Sequence, residues 1–390
     1  MLPQGKGQIS MRERMQAFSI AQRAMTMAGL APFALVGCAV QSYPQAEAAN
    51  LPAPTYSEMI PLPRPKPVSP QLEAATAPKD LVASINSITR NFNGVVGVAV
   101  KSVDEGWIVA SNGDLKLPQQ SVSKLWVSMT VLDQVDQGRI RLTDPITVTK
   151  ADLTLFHQPI AALAVKQGGY TTTVGDLMKR ALQMSDNTCN DKLLHLVGGP
   201  AVVREFIARK QLGAIRFGPG EKLLQSGTAG LTWKPEYSMG NAFAAARARL
   251  PQSVRLAAFQ AYVANPPDGA APSAIAGALA KLKQGHLLSP TSTQWLISTM
   301  EAARTGRFRV HGAVPPGWIY GHKTGTGQDL GARTAGFNDV GLLTAPDGKT
   351  YALAVMIGDT PRPPRERQML MQAVARAIVA SHDAASHRAG

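Results

Sequence analysis

Two short runs rich in β-branched residues, Val95-Val-Gly-Val-Ala-Val100 and Trp107-Ile-Val-Ala110, flank the turn-like Asp104-Glu-Gly106. Strand-forming residues on either side of a glycine turn predict an antiparallel hairpin. Three more such runs, Trp318–Lys323, Thr334–Leu343 and Tyr351–Ile357, predict strands near the other end of the chain. Between the two groups the apolar spacing changes to three and four. Residues 121–138, 174–184, 187–197, 200–209, 238–249, 254–264, 272–284 and 290–303 therefore predict helices, and Gln368–Ala380 a final helix able to cover the sheet. The expected fold class is α+β in two lobes. One is an antiparallel sheet built from both ends of the domain with covering helices; the other is all-helical and inserted between them. A cleft between the lobes is the expected site.

Upstream of residue 80 the pattern differs. Arg12, Arg14 and Arg23 precede an apolar run from Ala24 to Gly37, the order of an export signal and too short to span a bilayer comfortably. The run ends in Leu35-Val-Gly-Cys38, which resembles the lipobox of bacterial lipoproteins and implies acylation at Cys38; cleavage at nearby small residues is the alternative. Nine prolines follow between Pro44 and Pro78. Proline fixes φ and removes a backbone donor, so such a stretch favours an extended tether over helix or sheet. The expected organisation is a signal sequence over 1–38, a proline-rich linker over 39–79 and a catalytic domain over 80–390. Export to the periplasm with a lipid anchor in the membrane follows from it.

Composition adds limits. A chain of 390 residues that is 45% hydrophobic can bury a substantial core. The formal charge of +14 does not indicate nucleic acid, because the basic residues are dispersed, aromatics make up 6% and no nucleic-acid motif is present. An anionic envelope surface is the milder partner. The two cysteines are Cys38 and Cys189, so lipidation of Cys38 leaves Cys189 unpaired and no disulfide in the domain. Cys189 is read as a small packed residue. The histidines lack ligand spacing, and His322 is read as a strand-edge residue, with no metal expected.

The candidate chemistry lies in three segments that appear in order: Ser121-Val-Ser-Lys124, Ser185-Asp-Asn187 and Lys323-Thr-Gly-Thr-Gly327. Each alone has an ordinary reading as a helix surface, a cap or a strand end. Together they describe covalent acyl transfer. An amide carbonyl does not react with an ordinary hydroxyl at neutral pH, and Lys124, one turn after Ser121, can serve as its base. Ser185 can pass a proton to a leaving nitrogen, while Asn187 offers an amide to substrate or to Lys124. Lys323 and Thr324 suit a substrate carboxylate. Gly325 and Gly327 permit close approach of substrate, and the backbone N–H groups of Ser121 and Thr326 can form an oxyanion hole. Asp186 is read as a helix cap. Arg333, just past the glycine-rich loop, can assist carboxylate binding, with a salt bridge or a plain surface role equally open.

Over roughly residues 90–380 the chain resembles the class A serine β-lactamases and their penicillin-binding relatives. Besides the three motifs, the resemblance rests on Val131-Leu-Asp-Gln-Val-Asp-Gln-Gly138, Gly198-Gly-Pro200, Gly285 to Met300 and Ala335-Gly-Phe-Asn-Asp-Val340. It implies the two-lobed serine β-lactamase/DD-peptidase-like fold, no cofactor, and β-lactams or peptidoglycan stem peptides as partners. In the class a glutamate and a bound water hydrolyse the acyl-enzyme. Phe217-Gly-Pro-Gly-Glu221 falls in the omega-loop position, thirty-six residues after Ser185, which assigns that role to Glu221. There are two departures. Gln225 stands where the family usually has an asparagine, and an added segment spans about 226–271, where Glu236 is a rival base.

The leading expectation is a serine β-lactamase acylated at Ser121 and deacylated by Glu221-activated water. A D-alanyl-D-alanine peptidase or other cell-wall hydrolase would use the same acylation chemistry, and a non-enzymatic sensing lipoprotein would retain only the pocket.

Overall fold

The computed structural model describes residues 76–389. The leader, Cys38 and nearly all of the proline-rich stretch lie outside the described residues. Five antiparallel strands form the sheet: β1 (Val95–Ser102), β2 (Ile108–Ser111), β3 (Ile319–Thr326), β4 (Phe337–Thr344) and β5 (Thr350–Asp359). Their spatial order is β2-β1-β5-β4-β3, so strands from the two ends of the domain meet where β1 pairs with β5.

Alternation along β5 sorts its side chains between two cores. Leu353, Val355 and Ile357 join Val98 and Val100 against helix Lys79–Arg90 and the C-terminal helix Pro364–Ala389, through Leu81, Ile85, Met371 and Val374. Ala352, Ala354 and Met356 face the other way, toward Ile275 and Leu279 of helix Pro272–Lys283 and the helical lobe beyond. The small alanines let that helix lie close to the sheet. At the centre of the helical lobe runs helix Lys124–Asp136, buried from Lys124 to Asp133, as a helix packed on all sides must be.

Several elements differ from the sequence expectation. The run 334–343 is not one strand: Gly336 at φ +101° breaks it, leaving Arg333–Thr334 paired with Asp329–Leu330 and β4 starting at Phe337. The stretch 121–138 begins as a 3-10 turn, Gln120–Ser123, before the α-helix starts at Lys124. In 238–249, Gly240 at φ +59° separates a 3-10 turn, Pro235–Ser238, from helix Ala242–Arg249. Helices Lys79–Arg90, Ala161–Lys166 and Glu221–Thr228 were not expected.

The turn before Ser121 is fixed by Gln119, which is fully buried. Its amide donates to the carbonyls of Arg216 (2.8 Å) and Asp268 (2.5 Å), and its Oε1 accepts from Trp126 Nε1 at 2.6 Å. Trp126→Phe keeps most of the apolar volume but removes that donor. The expected loss is about 1–3 kcal/mol in urea unfolding, the usual cost of orphaning a buried acceptor; a change well below 1 kcal/mol would show that Gln119 does not depend on Trp126.

Candidate active site

The cleft between sheet and helical lobe has a volume of about 510 Å³, and all three motifs reach it. Ser121 lies on the 3-10 turn and Lys124 opens the helix that follows. Lys124 is completely buried, and its Nζ donates to Ser121 Oγ (2.8 Å), to Asn187 Oδ1 (2.9 Å) and to Glu221 Oε1. An ammonium has three N–H donors, and all three are used here.

Asn187 is held by helix Asn187–Leu196, capped by Asp186, whose Oδ1 accepts from the Cys189 N–H at 2.9 Å while Oδ2 accepts from that of Ile160 at 2.8 Å. The Asn187 amide donates to the Leu155 carbonyl at 2.9 Å, which turns its oxygen toward Lys124. Ser185, at φ +61° between two helices, accepts from Lys323 Nζ at 2.9 Å. Lys323 is completely buried, and burial, followed by the nearby Lys124 and Arg309 charges, holds its pKa well below the ordinary lysine value. Thr324 Oγ1 lies 2.8 Å from Thr305 Oγ1 at the same end of the cleft.

Gly325 and Gly327 have a different reason from the expected one. A Cβ at Gly325 would collide with the Gln119 carbonyl, and one at Gly327 with the Ala335 carbonyl. These glycines therefore let β3 and the loop after it press against the chain's own backbone beside Ser121, rather than simply leaving room for substrate.

Glu221 heads helix Glu221–Thr228 and is buried. Asp191 accepts the backbone N–H groups of Glu221 (2.9 Å) and Lys222 (3.2 Å), anchoring the start of that helix. Burial, with the Glu221 charge beside it, raises Asp191 to a pKa of about 6. One turn on, Gln225 Nε2 donates to Glu221 Oε2 (3.2 Å) and to Gln120 Oε1 (3.0 Å), and Gln225 Oε1 accepts from Gln328 at 3.1 Å. The added length of Gln225 thus spans from the carboxylate to Gln120 and the loop after β3. Glu236 is exposed and does not line the cleft.

Arg333 is also placed elsewhere. It pairs with Asp359, stacks 4.9 Å from the centre of the Phe259 ring and is absent from the cleft lining. A different arginine occupies the position beside the motif. Arg309, buried, donates to the carbonyls of Gly325 (2.9 Å) and Asn338 (2.5 Å) and to Thr326 Oγ1 (2.5 Å), and burial pushes its pKa down to about 10. Sequence spacing gave no sign of it. Cys189 is buried, and burial raises its thiol pKa well above the ordinary value, so it is no nucleophile. His322 is buried with its Nδ1 2.7 Å from Asp339 Oδ1.

Residues 226–271 enter the site in ways that their sequence did not reveal. Asp268 Oδ2 accepts the Gln120 N–H at 2.8 Å, and Tyr262 OH accepts from Gln120 Nε2 at 2.6 Å. These contacts hold Gln120 at φ +54°, a conformation unfavourable for a residue with a side chain, directly before Ser121. Phe243 packs edge-on to Phe156, and Arg247 lines the cleft.

Comparison with known proteins identifies the family. Residues 80–381 match the beta-lactamase enzyme family. The chain is 30% identical to the extended-spectrum beta-lactamase PER-1 of Pseudomonas aeruginosa over 295 residues, 76% of this chain and 85% of that protein. Its fold is similar to a crystal structure of a beta-lactamase from Chitinophaga pinensis, with a TM-score of 0.65 and 27% identity, covering 78% of this chain and 100% of that one. An ancestral class A beta-lactamase structure is similar at a TM-score of 0.60 and 28% identity, over 77% of this chain and 99% of that one.

Burial raises Asp268 from the usual 3.8 to a pKa of about 6. A carboxyl whose pKa rises on folding adds most to stability below its unfolded value, and that contribution is lost as pH climbs through the folded one. Relative to Asp268→Asn, the unaltered protein should therefore lose stability between pH 4 and pH 7, by on the order of 3 kcal/mol for a shift of about two units. Urea midpoints across that range test this; a difference between the two proteins that does not change with pH would refute it.

Proposed function

The chain belongs to the beta-lactamase enzyme family, class A, and from that premise we propose the roles of its residues in hydrolysing the β-lactam amide. The enzyme is a serine β-lactamase. Lys124 passes a proton to Glu221 and, as a neutral amine, takes the Ser121 hydroxyl proton while Oγ attacks the ring carbonyl. The oxyanion forms against the N–H groups of Ser121 and Thr326, where fixed donors meet developing charge. Collapse breaks the C–N bond, and Ser185, bonded to Lys323, passes a proton to the leaving nitrogen. Lys323, Thr324 and Thr305 hold the substrate carboxylate, with Arg309 fixing Thr326 and adding positive potential. Lys124 returns the Ser121 proton to Ser185 and recovers its own from Glu221; Glu221, again a carboxylate, takes a proton from the water that attacks the ester and hands it to Ser121 Oγ as that group leaves.

One observation carries the hydrolytic assignment over a peptidase that stays acylated. The buried Glu221 carboxylate touches Lys124 with one oxygen and is bonded to Gln225 through the other. That places a carboxylate one side chain from the nucleophile, where a deacylating base must act.

The proposal extends to location. The basic and apolar leader, Cys38 and the proline-rich stretch support export and a lipid anchor that holds the catalytic domain at an anionic envelope surface. Among the described residues no helix is long and apolar enough to cross a membrane.

Intact-mass time courses with excess penicillin test the chemistry. The unaltered enzyme should show an adduct that clears as product accumulates. Ser121→Ala should show none; a surviving adduct would remove Ser121 from its role. Glu221→Ala should still form the adduct, with solvent taking the Lys124 proton in place of Glu221, but should clear it about 10²–10⁴-fold more slowly, the usual range for a general base. Unchanged clearance would move deacylation to another group.

A further inference from the structure

We propose that Arg247, carried by the added segment, is a specificity-determining residue that selects β-lactams whose acyl side chain bears an anionic group such as a carboxylate or sulfonate. The inference rests on the β-lactamase reading above. Its starting point is the polarity of the cleft. Lys323, Ser185, Thr324 and Thr305 gather at one end, where a ring carboxylate is held, and Ser121 and Thr326 fix the carbonyl beside it. We take the acyl side chain to extend toward other lining residues, among them Gln225, Gln328, Asp329, Phe156, His157 and Arg247.

At that end Arg247 is the charged group best placed to read a substituent. Its Nη2 donates to the backbone carbonyl of Asp329 at 2.7 Å, an uncharged acceptor. Among the described residues it has no carboxylate within salt-bridge distance, so its charge is not paired. Asp329 supplies a rival charge, but its Oδ1 accepts from Thr334 Oγ1 on the neighbouring strand. Arg255, from the next helix of the added segment, adds positive potential on Arg247. The guanidinium is half-buried, so an ion pair there is screened less than on the open surface. It is also a planar fork suited to a carboxylate.

The mounting is rigid enough to discriminate. Arg247 lies four residues after Phe243 on helix Ala242–Arg249, one turn along the same face. Phe243 is buried and meets Phe156 edge-on, ring centres 5.3 Å apart, and Tyr237 also packs edge-on to it at 5.8 Å. The helix is thereby pinned to the rim, and the Asp329 carbonyl orients the guanidinium across the mouth.

The test compares three penicillins that differ at one position: benzylpenicillin, its α-carboxy derivative carbenicillin and its α-amino derivative ampicillin. In Arg247→Ala the ratio of kcat/KM for carbenicillin to that for benzylpenicillin should fall about tenfold, the scale of one charge-assisted hydrogen bond. The ampicillin ratio should hold or rise. Arg247→Lys should retain most of the carbenicillin preference and Arg247→Glu should reverse it in favour of ampicillin. A common fall for all three substrates would show that Arg247 only supports the rim, and unchanged ratios would show that it does not meet the side chain; either result overturns the proposal. Turnover of benzylpenicillin by the unaltered enzyme tests the parent reading separately, and its absence would overturn both.

Discussion

Burying one ammonium group constrains the rest of this site. Lys124 has no exposed surface, and taking a cation out of water costs several kcal/mol unless good partners replace the hydration. It has three: Ser121 from the turn before it, Asn187 from helix Asn187–Leu196 and Glu221 from a helix ninety-seven positions away. No two of these come from the same element, so satisfying the lysine draws three segments to one point. The same contacts that compensate its burial bring Ser121, Glu221 and Asn187, the proposed nucleophile, proton acceptor and substrate amide, within one side chain's reach. Stability of the lobe and chemistry of the site are in this sense one arrangement.

Around that point lies a network of side-chain amides. Gln119 ties the turn to Arg216 and Asp268, Gln120 bridges Tyr262 to Gln225, and Gln225 bridges Glu221 to Gln328. An amide can donate and accept at once without carrying charge, so it can connect buried groups without adding another desolvation cost. Tyr262 and Asp268 in this network, and Asp191 beside Glu221, are all shifted toward neutrality by burial. The net effect is a nearly neutral frame around a small number of functional charges.

The legible parts of this protein were those written locally. Strands rich in β-branched residues, long helices at three-four spacing and motif residues at fixed offsets all express themselves within a few positions. Helix Glu221–Thr228 was missed because it is eight residues long and follows Gly-Pro-Gly, which reads as loop. Helix Lys79–Arg90 was hidden at the edge of the proline-rich stretch. Arg333 was chosen for its nearness in sequence to the glycine-rich loop, but the break at Gly336 leaves it on a short ribbon beside Asp359. Arg309, Tyr262, Asp268 and Arg247 had no local signature. Gln120 and Asp268 are 148 positions apart, and only the folded chain brings such pairs together.

Residues 226–271, read above as an added segment, suggest how such a site could change its substrate preference without losing its chemistry. Lengthening a loop costs little, since closure entropy grows only with the logarithm of its length. The segment returns to the core at its far end, where Tyr262 and Asp268 grip Gln120, so the turn before Ser121 is held whatever lies between. The intervening helix Ala242–Arg249 meets the cleft through Arg247, and its Phe243 packs on the lining residue Phe156. Substitutions on that helix can therefore alter what the mouth of the cleft accepts, while the three acceptors of Lys124, all outside it, stay in place. On the roles proposed above, recognition and catalysis are separable because different elements carry them, joined where Asp268 and Tyr262 meet Gln119 and Gln120.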